Sequence, residues 1–262
     1  MLNKDITKNN LKKVKTLIEN IKTMSQEDFK KILKTMVSFH KYSFYNQIIL
    51  YYSGASQVAG FKTWKLFKRN VKHGSKAIWI LAPAGCYTIQ KRCLEDGKEK
   101  IKDITFKSFK SVPVFDIKDT EGEPINKGFT TESKTDIKLI KEYSIKKGFS
   151  ISYKPLEIAT GGYIMNKDIT LNSNLSELEN TGSLVHELSH GLLGHSNETD
   201  NSSRSLREQE AEILTFLLNE KLGIKRHSEF YLKGWDTTQD IIKSFKKINA
   251  IFQNTIKEIE AV

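Results

Sequence analysis

The residues best suited to chemistry are His186, Glu187 and His190, which spell H-E-x-x-H inside the stretch Thr181–Gly194, TGSLVHELSHGLLG. On an α-helix, side chains four apart stand one above the other, so both imidazoles project from one face and can share one Zn²⁺. Glu187 sits beside them, where a carboxylate acts as general base on an attacking water. Leu184, Val185, Leu188, Leu192 and Leu193 give the helix apolar surface to bury, and Gly191 and Gly194 come only near its end.

A catalytic zinc takes three protein ligands and keeps an open position. The extended H-E-x-x-H-x-x-G-x-x-H pattern would need Gly at 193 and His at 196, where the chain has Leu193 and Ser196. His195 is off by one and reads as a polar residue where the helix ends. The better source is a second predicted helix, RSLREQEAEILTFLLNEKLGI, with a buried face of Ala211, Leu214, Phe216, Leu217, Leu218 and Leu222 and a stop at Gly223. Glu208 and Glu212 share a face, so one could bind the metal while the other accepts the ring N–H of a ligand histidine. Glu210, twenty residues beyond His190, is the alternative ligand.

Other elements must hold these helices in place. The patterning predicts a short helix over 136–147, strands over 149–153, 162–165 and 168–172, and a long amphipathic helix over 238–259 packed across the back. A strand preceding the H-E-x-x-H helix would pair with a substrate backbone. Tyr231 could donate to an oxyanion, although packing is its more ordinary use.

The N-terminal half is built differently. Helical spacing runs through residues 1–35, with Ser25 as a cap before Phe29, and a further helix follows between Phe39 and Gly60. Strands are expected over 77–82, stopped by Pro83, over 86–92 and over 106–117, with a charged loop at 95–102. Residues 118–134 read as a linker, which divides the chain into a domain over 1–125 and another over 126–262. Residues 1–125 carry 24 Lys and Arg against 12 Asp and Glu, a net of +12; residues 126–262 carry 18 against 19. The whole basic excess therefore belongs to the first half, which points to a polyanionic partner there. Lys62, Lys65, Lys68, Arg69, Lys72 and Lys76 interleave with aromatic residues, Trp64 among them. That combination suits single-stranded DNA, with cations along the phosphates and rings stacked on bases.

The remaining composition narrows the class. At 38% hydrophobic residues, the chain can build a core. No run approaches the roughly 18 uninterrupted apolar residues of a membrane-spanning helix, and no membrane partner is expected. The first residues lack an apolar signal region, and the two cysteines, Cys86 and Cys93, form no framework; a cytoplasmic location is the expectation.

The order of these features resembles the ArdC-type antirestriction proteins of plasmids and conjugative elements. The resemblance is carried by YNQIILYYS, FKTWKLFKRNVKHGSKAIWILAP, VFDIKDTEG, GGYIMNKDITL and LVHELSHGLLGH with REQEAEILTFLLNEKLGI, spanning roughly residues 40–235. It implies an α+β fold: an N-terminal α+β single-stranded-DNA-binding domain, then a zincin-like (gluzincin) metallopeptidase domain. The second domain is also similar to the ImmA/IrrE metallopeptidase group, in which a downstream Glu with a polar residue four later completes the site. That pattern falls on Glu208 as metal ligand and Glu212 behind it. The implied activity is zinc-dependent peptide hydrolysis at an unknown protein or peptide, joined to protection of incoming single-stranded DNA.

Overall fold

The computed structural model describes residues 2–95, 98–125, 137–157, 159–195, 202–224 and 238–261. The first half contains α1 (Leu2–Asn20), α2 (Gln26–Ser38), α3 (Phe44–Tyr52), β1 (Val58–Ala59), α4 (Phe61–Leu66), β2 (Arg69–Val71), β3 (Ile78–Glu95), β4 (Lys98–Asp116) and β5 (Thr120–Gly122). The second contains α5 (Ile137–Lys146), β6 (Ser150–Lys154), β7 (Gly162–Met165), β8 (Asp168–Asn172), α6 (Glu177–Leu193), α7 (Arg204–Leu222) and α8 (Thr238–Ile259). The chain groups into two compact units: Met1–Lys15 with Ile48–Ile125, and Thr16–Gln47 with Asn126–Val262. Among the described residues, no helix is long and apolar enough to cross a membrane.

In the first unit, β3 and β4 form a long antiparallel ribbon, with β1 added to β4 only at Val58↔Asp116 and Ala59↔Phe115. The expected stop at Pro83 does not occur. Pro83 sits at a register shift ending at Gly85, and β3 is an edge strand, so a missing ladder N–H costs little there. Gly85 has φ +113, a conformation open to glycine, which lets the ribbon bend and continue. The predicted loop at 95–102 is likewise mostly strand. Residues 118–122, expected in the linker, belong to the fold: β5 pairs antiparallel with β2, Arg69↔Gly122 to Val71↔Thr120. Of the rest of that linker, 126–134 lies outside the described residues.

In the second unit, a three-stranded sheet has the order β6-β8-β7, with β6 parallel and β7 antiparallel to the central β8. Ile169 and Leu171 of β8 are fully buried, as are Leu184 and Val185 of α6. The loop leading to β7 is tied down by buried Asn172, whose side-chain amide donates to the carbonyls of Glu157 and Thr160 and whose Oδ1 accepts from Leu156 N. α8 supplies Ile241, Phe245, Ile248, Phe252 and Ile256, buried at helical spacing. Phe245 stacks on Phe44 at 5.1 Å and meets Phe29 edge-on at 6.1 Å, so α2 and the start of α3 join this core. Ser25 caps α2 by accepting from Asp28 N, as the sequence suggests. Tyr231 lies outside the described residues.

Candidate metal centre

α6 begins with a capping box, in which the Ser176 side chain accepts from Glu179 N while the Glu179 carboxylate accepts from Ser176 N. It ends at Gly194, whose φ of +76 suits a left-handed cap. α7 starts at the Ser203 cap and stops at Gly223, φ +71. Leu184, Val185 and Leu188 fix the buried side of α6, and Ile213, Leu214 and Leu217 that of α7. Ser189 and Thr215 hydroxyls meet at 3.1 Å between the two helices. Close approach also matters on the sheet side. A Cβ on Gly191 would run into the Phe149 ring and come 2.9 Å from Ile164 Cδ1.

This packing turns three donor atoms toward one point. His186 Nε2 and His190 Nε2 are 3.3 Å apart, and Glu208 Oε2 lies 3.4 Å from His190 Nε2 and 3.7 Å from His186 Nε2. A tetrahedral ion with bonds of about 2.0–2.1 Å holds its ligand atoms about 3.3–3.4 Å from one another. The triangle is therefore the size a Zn²⁺ needs, and two nitrogens and one carboxylate oxygen are a donor set that suits it. His186 and His190 are mostly buried, while Glu208 reaches in from the open side with half its side chain exposed.

The electrostatics agree. Burial alone would lower the His186 pKa, but the carboxylates of Glu208 and Glu212 outweigh it and raise it to about 9. The two imidazoles hold the Glu208 carboxyl far below the usual carboxylate range against a smaller opposing effect of burial. Three converging lone pairs repel, and without a cation a proton must stand between them.

Behind the triangle each imidazole has its own support. His186 Nδ1 lies 3.3 Å from Glu212 Oε2, at ion-pair distance but not aligned as a hydrogen bond. His190 Nδ1 lies 3.1 Å from His195 Nδ1, and His195 Nε2 lies 3.0 Å from Glu210 Oε2. Glu210 in turn accepts from Ser244 Oγ and, at 3.0 Å, from Lys247 Nζ, both on α8. Burial would push the Glu210 carboxyl up, yet His195, Ser244 and the Lys247 charge hold it down to about 2.

The reading of His195 as a plain helix-end residue needs correcting, because it is almost wholly buried between His190 and Glu210. Glu210 is turned away from the triangle, toward His195, Ser244 and Lys247. Its burial among α7, α8 and the end of α6 leaves no local sequence pattern. The spacing of Ser244 and Lys247, one helical turn apart on α8, is the nearest trace of it.

A cavity of about 460 Å³ opens over the triangle, lined by Glu187, Gly162, Tyr163 and Ile164 among others. Glu187 is buried, and its Cγ lies 3.5 Å from where a Cβ on Gly162 would stand. The strand beside the site is β7, which among the described residues pairs only with β8 and so has one edge unpaired. The strand that immediately precedes α6 is the central β8, which has none to offer; the edge-pairing expectation belongs to β7.

The residues expected to meet DNA are brought together only in part. Lys62, Lys65, Lys68, Lys72 and Lys76 are exposed around α4 and the β2 turn. Trp64 is 2% exposed, and its Nε1–H donates to Phe115 O at 2.9 Å; it is a core residue and has no free face for a base. Arg69 is a clamp within the fold, donating from Nε to Thr120 Oγ1, from Nη2 to Thr120 O and from Nη1 to Gly122 O and Glu123 O. In the stretch around α4 the exposed rings are those of Phe61 and Phe67, with Lys65 Nζ 5.0 Å from the Phe61 centroid.

An H-E-x-x-H helix facing a glutamate on the next helix, beside a small sheet whose edge strand β7 borders the site, is the arrangement of a zincin-like fold. Residues 137–233 match the IrrE N-terminal-like domain, which is classed among peptidases, and residues 4–115 match the N-terminal domain of anti-restriction factor ArdC. The two matches together make the chain similar to the ArdC-type antirestriction proteins over most of its length. Two solved structures of the antirestriction ArdC protein from the R388 plasmid share its fold. The metal-free form has a TM-score of 0.51 and 18% identity, covering 84% of this chain and 85% of that one. The Mn(II)-bound form has a TM-score of 0.51 and 16% identity, covering 93% and 97%. No curated protein matches the chain.

Proposed function

We propose that this protein binds single-stranded DNA through its first unit and hydrolyses a peptide bond at a Zn²⁺ held in its second, in the service of antirestriction on a plasmid or conjugative element. The observation that carries the reading is the triangle of His186 Nε2, His190 Nε2 and Glu208 Oε2, whose sides match a tetrahedral cation. The Mn(II)-bound ArdC relative supports a divalent cation here, although it does not select zinc.

When bound, Zn²⁺ supplies Lewis acidity toward a carbonyl and lowers the pKa of water. The chain does the rest. The free edge of β7 pairs with an extended peptide and lays it along the cavity. Glu187 takes a proton onto its carboxylate as water attacks, and returns it to the leaving amine nitrogen. Glu212 and His195 hold the two imidazoles in orientation. In the first unit, the lysines around α4 follow phosphates while Phe61 and Phe67 offer faces to bases.

The test is a comparison of wild type with Glu187→Gln for Zn²⁺ content, single-stranded-DNA binding, cleavage of co-expressed candidate proteins and antirestriction. Loss of cleavage and antirestriction together, with Zn²⁺ and DNA binding retained, supports the hydrolytic reading. Antirestriction unchanged in Glu187→Gln makes the protein a DNA-coating factor with a structural cation. A repressor shortened only when Glu187 is intact makes it a regulatory protease instead.

A further inference from the structure

A neutral imidazole binds a cation through Nε2 when its other nitrogen carries the proton, and something must decide which nitrogen that is. For His190 the decision can be traced outward through contacts that, with both imidazoles neutral, have one consistent solution. Glu210 receives Ser244 Oγ on Oε1 and Lys247 Nζ on Oε2, and it also touches His195 Nε2 at 3.0 Å. A carboxylate anchored by an ammonium and a hydroxyl only accepts, so His195 Nε2 carries its proton. A neutral His195 then has a bare Nδ1, and the 3.1 Å contact to His190 Nδ1 must be filled by a proton from His190. His190 Nε2 is left bare, and it is the atom facing the triangle with His186 and Glu208.

We propose that His195 and Glu210 are positioning residues that lock His190 into its Nδ1–H tautomer, presenting the Nε2 lone pair to the cation before it arrives. The proposal rests on His190 being a metal ligand. It gives a purpose to a buried histidine and a buried glutamate that would otherwise be poor choices for the interior. Ser244 and Lys247 make α8 part of the metal centre at a distance, because they fix the carboxylate that starts the chain of contacts. His186 has no such relay: its Nδ1 faces the Glu212 carboxylate directly.

The experiment is imidazole ¹⁵N NMR on the metal-free full chain, together with Zn²⁺ affinity by chelator competition for wild type, His195→Leu and His195→Gln. The expected wild-type spectrum has His190 protonated at Nδ1 and bare at Nε2. His195→Leu removes both polar contacts and lowers Zn²⁺ affinity by about 10- to 100-fold. His195→Gln keeps one acceptor and one donor about as far apart as the ring nitrogens, and recovers most of the loss. A wild-type His190 protonated at Nε2 overturns the proposal, as does His195→Leu with unchanged affinity. Should His195→Leu fail to fold, the wild-type spectrum and His195→Gln still decide. Wild type that takes up no Zn²⁺ while showing the Nδ1–H tautomer refutes the metal reading and leaves the tautomer assignment standing.

Discussion

Glu208 and Glu212 sit one helical turn apart on α7 and address opposite nitrogens of the same ring: Glu208 Oε2 is 3.7 Å from His186 Nε2, Glu212 Oε2 3.3 Å from Nδ1. Their shared face is what the helix period requires, but their division of labour is set by where α6 crosses. Glu208→Ala should therefore abolish stoichiometric Zn²⁺ binding, while Glu212→Ala should weaken it by about 10- to 100-fold. Calorimetric titration of both variants checks this; equal losses would mean that the two carboxylates are interchangeable.

The His186 charge gives the metal-free protein a pH signature. Its pKa is raised from 6.5 to about 9, so the proton it holds stabilises the fold fully below 6.5, and that contribution is lost as pH rises through 9. Glu208 acts in the opposite sense: its pKa is depressed from 4.5, so its contribution is present above 4.5 and lost as pH falls. In chelator, Tm should peak between these limits and decline through the alkaline window. With Zn²⁺ present the decline should vanish, because the cation replaces the proton and binds better as that competition fades. A metal-free Tm that climbs from pH 6.5 to 9 contradicts the arrangement.

Trp64 and its neighbours separate stability from DNA binding. Trp64→Ala should cost about 3–5 kcal/mol of stability through the emptied core, with any loss of DNA binding following from unfolding. Phe61→Ala and Phe67→Ala should leave Tm almost unchanged and weaken single-stranded-DNA binding by about 1–3 kcal/mol for each stacked base. Lys65→Ala should reduce the salt slope of binding by about 0.7. Fluorescence anisotropy at several salt concentrations, beside thermal melts, reads all three.

Gly191→Ala tests the seating of α6 on the sheet. The new Cβ would strike the Phe149 ring and crowd Ile164, which lies on the edge strand by the cavity. Overpacking of this kind should destabilise by about 1–3 kcal/mol, measured by urea denaturation. A neutral result would mean that Phe149 can turn aside.

Much of this protein was legible before folding was considered. His186, Glu187 and His190 are fixed by a spacing of four on one helix, and β7, β8 and α8 begin and end where alternation, the helical period and turn residues put them. These are local regularities, so one stretch of chain carries the whole signal. The long ribbon was misread at Pro83 because the harm a proline does depends on whether its edge of the strand is paired, a fact about the neighbours of β3. Likewise, nothing in FKTWKLFK distinguishes the ring that fills the core from the rings that face solvent.

The sequence alone determined which residues could ligate a cation, and left Glu208, Glu210 and Glu212 as rivals for the third place. The tertiary structure gives each of the three a different set of neighbours. The crossing of α6 and α7 brings Glu208 to both Nε2 atoms and Glu212 to the back of His186, while α8 draws Glu210 toward Ser244 and Lys247. It also buried His195 between His190 and that carboxylate. The reason is range: periodicity specifies which side chains share a face, whereas the partner each one meets depends on elements many residues away in the chain.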